Sequence, residues 1–152
     1  KLDSWCVVGT NRSKNDNPLS GVRTHSYHRR KPMARVGYFE GTDPLLLAKL
    51  AAEGIETLPL ANTWDGHGKY VNHLSKAEVN VVVGYLHKVI PAEQERMQPA
   101  DLLFACRNFD IPVVLIAPSA LRDKAKKMLG DVGPNVHVVA PEELEAQIRR
   151  YL

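Results

Sequence analysis

The sequence predicts one three-layer α/β/α domain built on a mainly parallel sheet, on three observations. Ile111–Ala117 (IPVVLIA) is apolar at every position. A strand made of it has no wet face and must be covered on both sides, as strands in parallel sheets are. From Met33 onward, five apolar runs of strand length alternate with helical patterns, the signature of parallel βα units. The connections between them are short and carry helix-start chemistry, as right-handed crossovers require.

The elements follow in order. Arg35–Glu40 (RVGYFE) is the first strand. Thr42-Asp43-Pro44 then supplies a cap residue and a proline at a first helical position, where no amide donor is needed. Leu45, Leu46, Leu47, Leu50 and Ala51 form a helical apolar face that Gly54 ends. Ile55–Leu60 is the second strand, followed by the polar loop Ala61–Lys69 (ANTWDGHGK) and a short helix over Tyr70–Leu74. Val79–Tyr85 is the third strand, where Gly84 implies the close approach of a ligand or of backbone. A helix over Pro99–Phe109 turns Leu102, Leu103, Cys106 and Phe109 inward. After the fourth strand, Ser119 caps a helix over Ala120–Leu129 whose inward residues are Leu121, Ala125, Met128 and Leu129. Val136–Ala140 is the fifth strand, and Pro141-Glu142-Glu143 opens the last helix, with acids where the helix dipole favours them.

Five strands suit the flavodoxin-like order 2-1-3-4-5. A Rossmann-like order needs a sixth, for which Cys6-Val7-Val8 is the available segment. The chain has 152 residues, enough for one core and too few for two ordinary domains. Residues 1–32 form a leader of a different kind, rich in Asn, Ser, Arg and His and poor in anything to bury, and are expected to be irregular. The leader carries seven basic and two acidic residues, a net of +5, whereas the rest carries 13 against 15, a net of −2. Basicity therefore belongs to the leader, and residues 33–152 form the domain. Met33-Ala34-Arg35 also reads as a true start, with the leader upstream of it. The cluster His25–Lys31 (HSYHRRK) could lie on nucleic-acid phosphates or on another subunit, but a short basic cluster is more often simply solvated, so nucleic acid is not the expected partner.

No apolar stretch reaches the roughly 18–20 residues of a membrane span, and no secretory signal is visible, so the expectation is a soluble cytoplasmic protein. Cys6 and Cys106 have neither metal-ligand nor CxxC spacing, and Cys106, set among apolar residues, reads as core.

In open parallel sheets the site lies beyond the carboxyl ends of the strands, where strand order reverses. That edge holds Glu40–Asp43, Asn62–Lys69, Tyr85–Lys88, Pro118-Ser119 and Ala140-Pro141. The candidate ligand-binding residues are Thr42, Trp64, Asp65, His67, Lys69, Tyr85, His87, Lys88 and Ser119. His67, Lys69, His87 and Lys88 would contact an anion and Trp64 or Tyr85 would stack on a ring, so the expected partner is a small anionic or nucleotide-like molecule. Helix starts at this edge would add backbone N–H groups. Glu40 and Asp43 place two carboxylates past a strand end, for acid/base work or to hold a divalent metal; alternatively Asp43 caps the helix and Glu40 is solvated. Asp65-Gly66-His67-Gly68-Lys69 is the most site-like stretch, although it has neither P-loop spacing nor the D-x-H-x-x-G of cobalamin-binding domains. No motif names a cofactor, and His67, His73 and His87 lack the partners of a zinc site, so no metal is expected.

Asp101-Leu-Leu-Phe-Ala105 followed by Ile111-Pro112-Val113-Val114 resembles the acid-x-x-x-Ala … Pro-Val pattern of the nucleoside deoxyribosyltransferase-like group. That resemblance implies an N-glycosidic bond hydrolase or transferase with Asp101 as nucleophile. The family has a glutamate at that position, and its D-x-G-T element is replaced by Arg96-Met97-Gln98-Pro99. Glu40, Asp43 and Asp101 are thus the candidate catalytic residues. A third reading is a non-catalytic module that forms a homo-oligomer through a sheet edge or the last helix.

Overall fold

The computed structural model describes residues 33–65, 67–93 and 96–152, so the Cys6–Val8 stretch and the His25–Lys31 cluster lie outside the described residues. The strands are β1 (Arg35–Phe39), β2 (Glu56–Ala61), β3 (Lys69–Tyr70), β4 (Val81–Tyr85), β5 (Val113–Ile116) and β6 (Val136–Val139). All neighbours are parallel, in the order β3-β2-β1-β4-β5-β6. The five expected strands stand in the order 2-1-3-4-5. The sixth, β3, adds two residues to the edge beside Leu60 and Ala61. Two residues carry no periodicity that a sequence reading could detect.

Both faces of the sheet are covered, and the pleat divides the core. Val36, Val81, Val83, Val114 and Ile116 pack beneath α1 (Pro44–Ala52) and α5 (Leu144–Arg149), which present Leu46, Leu50, Leu144 and Ile148. Phe39, Leu60, Val82, Val113 and Leu115 face the other layer, with α2 (Pro99–Leu102), α3 (Phe104–Asn108) and the 3-10 turn Val71–His73. Burial on both faces is why the run Ile111–Ala117 contains no charged residue. On the outer surface α1 and α5 are tied by Arg149, which donates to both oxygens of Glu53 at 2.8 Å, and by Lys49 to Glu145 at 2.6 Å.

Three local expectations are corrected. The helix over Pro99–Phe109 is broken at Leu103 (φ −92°, ψ 14°) into α2 and α3, and Phe109 is partly exposed while Ala105 joins the buried set. Ser119 does not cap a helix: it opens a 3-10 turn, Ser119–Leu121, ahead of α4 (Arg122–Leu129), and neither start has a side-chain cap. In α4 only Ala125 and Leu129 are buried, whereas Leu121 and Met128 are about half exposed. This helix lies against the outermost strand, and a narrow stripe suffices to cover it.

Two backbone details shape the carboxyl edge. Gly84 does admit a close neighbour, but that neighbour is a side chain: a Cβ there would lie 2.6 Å from Phe39 Cδ2. Pro59, inside β2, is exposed and lies ahead of the β3 pairing, where its missing N–H is not needed.

Candidate functional site

Each loop at the carboxyl edge is held by its own polar residues. After β1, the Thr42 hydroxyl donates to Phe39 O at 2.7 Å and its N–H to the same oxygen at 3.2 Å. Thr42 is buried and closes the turn. Asp43 accepts from Leu45 N–H at 2.9 Å and caps α1. Glu40 projects into solvent, with its carboxylate 4.0 Å from Lys88 Nζ.

After β2 the organising residue is Asn62, buried at the strand end. Its Oδ1 accepts from the N–H of Asp65 at 2.6 Å and of Trp64 at 3.3 Å, the turn an asparagine makes with the backbone that follows it. Its Nδ2 donates to Lys88 O at 2.8 Å. Asp65 Oδ2 in turn lies 2.6 Å from Lys88 Nζ. The loops leaving β2 and β4 are thereby joined across the end of β1, which lies between them in the sheet and where strand order reverses. Lys88 is mostly buried, its side chain 16 % exposed, and lies between Asp65 and Glu40.

The other expected residues part company. Trp64 is half-buried and packs against the core. His67 is exposed. Gly68, at φ +113°, bends the chain tightly over Pro59, where a Cβ would lie 2.5 Å from the Pro59 carbonyl oxygen. Lys69 enters β3 and pairs with Glu78, which sits before the amino end of β4, so its ammonium is engaged away from the carboxyl edge. Lys69, together with the Ser75 N–H and hydroxyl at 2.8 Å each, holds the Glu78 carboxyl well below its usual range, at about 2.

Beyond β4 the three-residue turn Leu86–Lys88 links this ionic bridge to an apolar cleft. The rings of Tyr85 and His87 stack at 5.7 Å with 25° between planes. Together with Ile116, Pro118 and Leu121 they line a cleft of about 230 Å³ at the ends of β4 and β5. Ser119 is exposed beside Pro118. A larger hollow of about 510 Å³ lies at the opposite end of the sheet, where Arg35 is paired with Glu56 and Glu78 with Lys69 from outside the lining, while Lys76 has no ion-pair partner among the described residues.

The three candidate acids are not brought together. Glu40 faces Lys88, Asp43 caps α1, and Asp101 accepts from Gln98 N–H at 3.1 Å to close the start of α2. Among the described residues no three His, Cys, Asp or Glu side chains gather to hold a metal, and no helix is long and apolar enough to cross a membrane. Cys106 is buried in the core, and burial pushes its thiol up to about 12. Asn62 is the residue that sequence reading passed over. Its signal was Asn-x-x-Asp immediately after a strand, a spacing that closes a turn. No family model matches the sequence, and no curated protein matches it.

Proposed function

We propose that the carboxyl edge binds a small ligand built on a single planar ring, of nucleobase or nicotinamide size, with a polar or anionic substituent. The observation that carries this reading is the cleft between the stacked Tyr85–His87 pair and Pro118–Leu121, continuous through Leu86–Lys88 with the Asp65–Lys88 bridge. Its volume of about 230 Å³ is below that of drug-sized pockets, so it suits one ring and is too small for a dinucleotide. An ammonium has three donors and Asp65 engages one, so Lys88 keeps capacity for a ligand oxygen. Asp65 and Glu40 disfavour a highly charged anion at the same point. The ring therefore supplies most of the affinity.

The test is a thermal-shift screen with single-ring compounds such as nicotinamide, adenine, uracil and benzoate, followed by calorimetry on the strongest. A ligand at a hundredfold excess over its Kd raises stability by about 2.7 kcal/mol. Leu121→Trp, which fills the cleft from an exposed position, should abolish that shift, and His87→Ala should weaken it. Binding that survives both substitutions, or no shift across the panel, would remove this assignment.

A further inference from the structure

The outer edge of β6 is open, and its chemistry is self-complementary. Val113 N–H donates to Asn135 O and Ala117 N–H to Val139 O. In a parallel ladder residues 135, 137 and 139 therefore turn their backbone groups toward β5, and Val136 and Val138 turn theirs outward. The Val136 N–H reaches Gly133 O at 3.5 Å, and both backbone groups of Ala140 are engaged by Glu143. Val138 N–H and C=O are left without a partner among the described residues. The strand, Val-His-Val-Val, has no proline, lysine or other charge to blunt it, unlike the opposite edge, where β3 is two residues long and begins with a lysine.

A groove of about 810 Å³ runs along this edge between α4 and α5, leaving room for another strand. Of its charged lining residues, Arg122 is paired with Glu143, Lys126 on α4 is exposed with no ion-pair partner among the described residues, and Glu142 and Arg150 lie toward opposite ends. The stack of Tyr151 on His137, 6.2 Å between rings, sets the end of α5 and Arg150 beside the start of β6. Glu142 stands just past its other end. Both are exposed, and neither has an ion-pair partner among the described residues. A parallel neighbour of the same sequence would oppose like charges, whereas an antiparallel one sets each Glu142 against the other copy's Arg150.

We propose that a second copy of this chain adds to β6 edge to edge, antiparallel about a two-fold axis at Val138, joining the two sheets into one. Val138 N–H and C=O of each copy then bond those of the other, an isologous contact that needs no other partner. The carboxyl edge near Lys88 stays open in such a dimer, because β6 lies two strands away from β4.

Sedimentation equilibrium of the full chain tests it. A reversible dimer is expected. Val138→Pro removes the outward N–H and leaves the β5 ladder intact, and should give a folded monomer by circular dichroism. Should that variant misfold, the exposed charges provide a second route. Glu142→Arg or Arg150→Glu alone should weaken the dimer by about tenfold through like-charge opposition, and the double exchange should restore it. A monomer at the highest attainable concentration overturns the proposal, even one that binds an added extended peptide. So does a dimer indifferent to all of these substitutions.

Discussion

The side-chain amide of Asn62 donates to the backbone oxygen of Lys88 at 2.8 Å across 26 residues, while Asp65, three residues further on, holds the Lys88 ammonium at 2.6 Å. One loop thus grips both ends of a single lysine, and the grip spans the point where strand order reverses. Removing the amide leaves two backbone N–H groups and one part-buried carbonyl without their partner. Asn62→Ala should therefore cost about 2–3 kcal/mol. Asn62→Asp should also destabilise, because it keeps the acceptor and loses the donor. Urea unfolding of both variants checks this, and an unchanged midpoint for Asn62→Ala would show that the loops are not held this way.

Gly84 should not accept even a methyl group. A Cβ there would stand 2.6 Å from Phe39 Cδ2 and 2.9 Å from Phe39 Cβ, inside a core where the phenyl ring is 1 % exposed. Gly84→Ala should destabilise by about 1–3 kcal/mol, the usual cost of overpacking. Phe39→Leu in the same chain should recover part of it, and a double-mutant cycle by denaturant unfolding would show coupling between the two sites.

Acid should weaken the fold partly through Glu78. Lys69 and Ser75 favour its ionised form, so its carboxyl titrates at about 2 in the folded chain against an ordinary 4.5. The stability it contributes is complete above pH 4.5 and is lost as pH falls from there towards 2. With the side chain 29 % exposed, solvent screening leaves about 1–2 kcal/mol of that contribution. The stability advantage of the parent over Glu78→Gln should shrink by about half of this amount between pH 5 and pH 3, the rest being lost only as pH approaches 2. Equal pH slopes would discount the pair.

Cys106 should be chemically silent while the chain is folded. Its thiol is fully buried and pushed up to about 12, so almost no thiolate exists at neutral pH and no reagent has access. In a Cys6→Ala background, labelling by a disulfide reagent should be slow in buffer and complete in denaturant. Rapid labelling of the native protein would show that this part of the core opens readily.

The proposed homo-oligomer and the proposed ring ligand should be separable. Val138→Pro should leave ligand-induced thermal shifts unchanged, and Leu121→Trp should leave sedimentation unchanged. Loss of both properties in either variant would mean that the two surfaces are coupled.

Much of the fold was determined locally. Ile111–Ala117 has no polar position and can only be a strand covered on both faces; Asp43-Pro44 and Gly54 bound a helix through cap chemistry that acts within a few residues. The parallel sheet and its carboxyl edge followed from these elements because parallel crossovers leave few choices, whereas the choice between flavodoxin-like and Rossmann-like strand order was made only by the sheet itself. The same locality explains the helix-start aspartates: Asp43 and Asp101 bond to amides two and three residues away. Only the tertiary structure decided the fate of the remaining polar residues. Lys69 and Lys88 are both lysines beside a polar loop, but pairing along β2 carries Lys69 to Glu78, and the end of β4 delivers Lys88 to Asp65. Gly84 signalled a close approach, and which group approached depended on the register between β1 and β4. Charge pairing and close packing join residues distant along the chain, so their partners are set by how the strands are laid side by side.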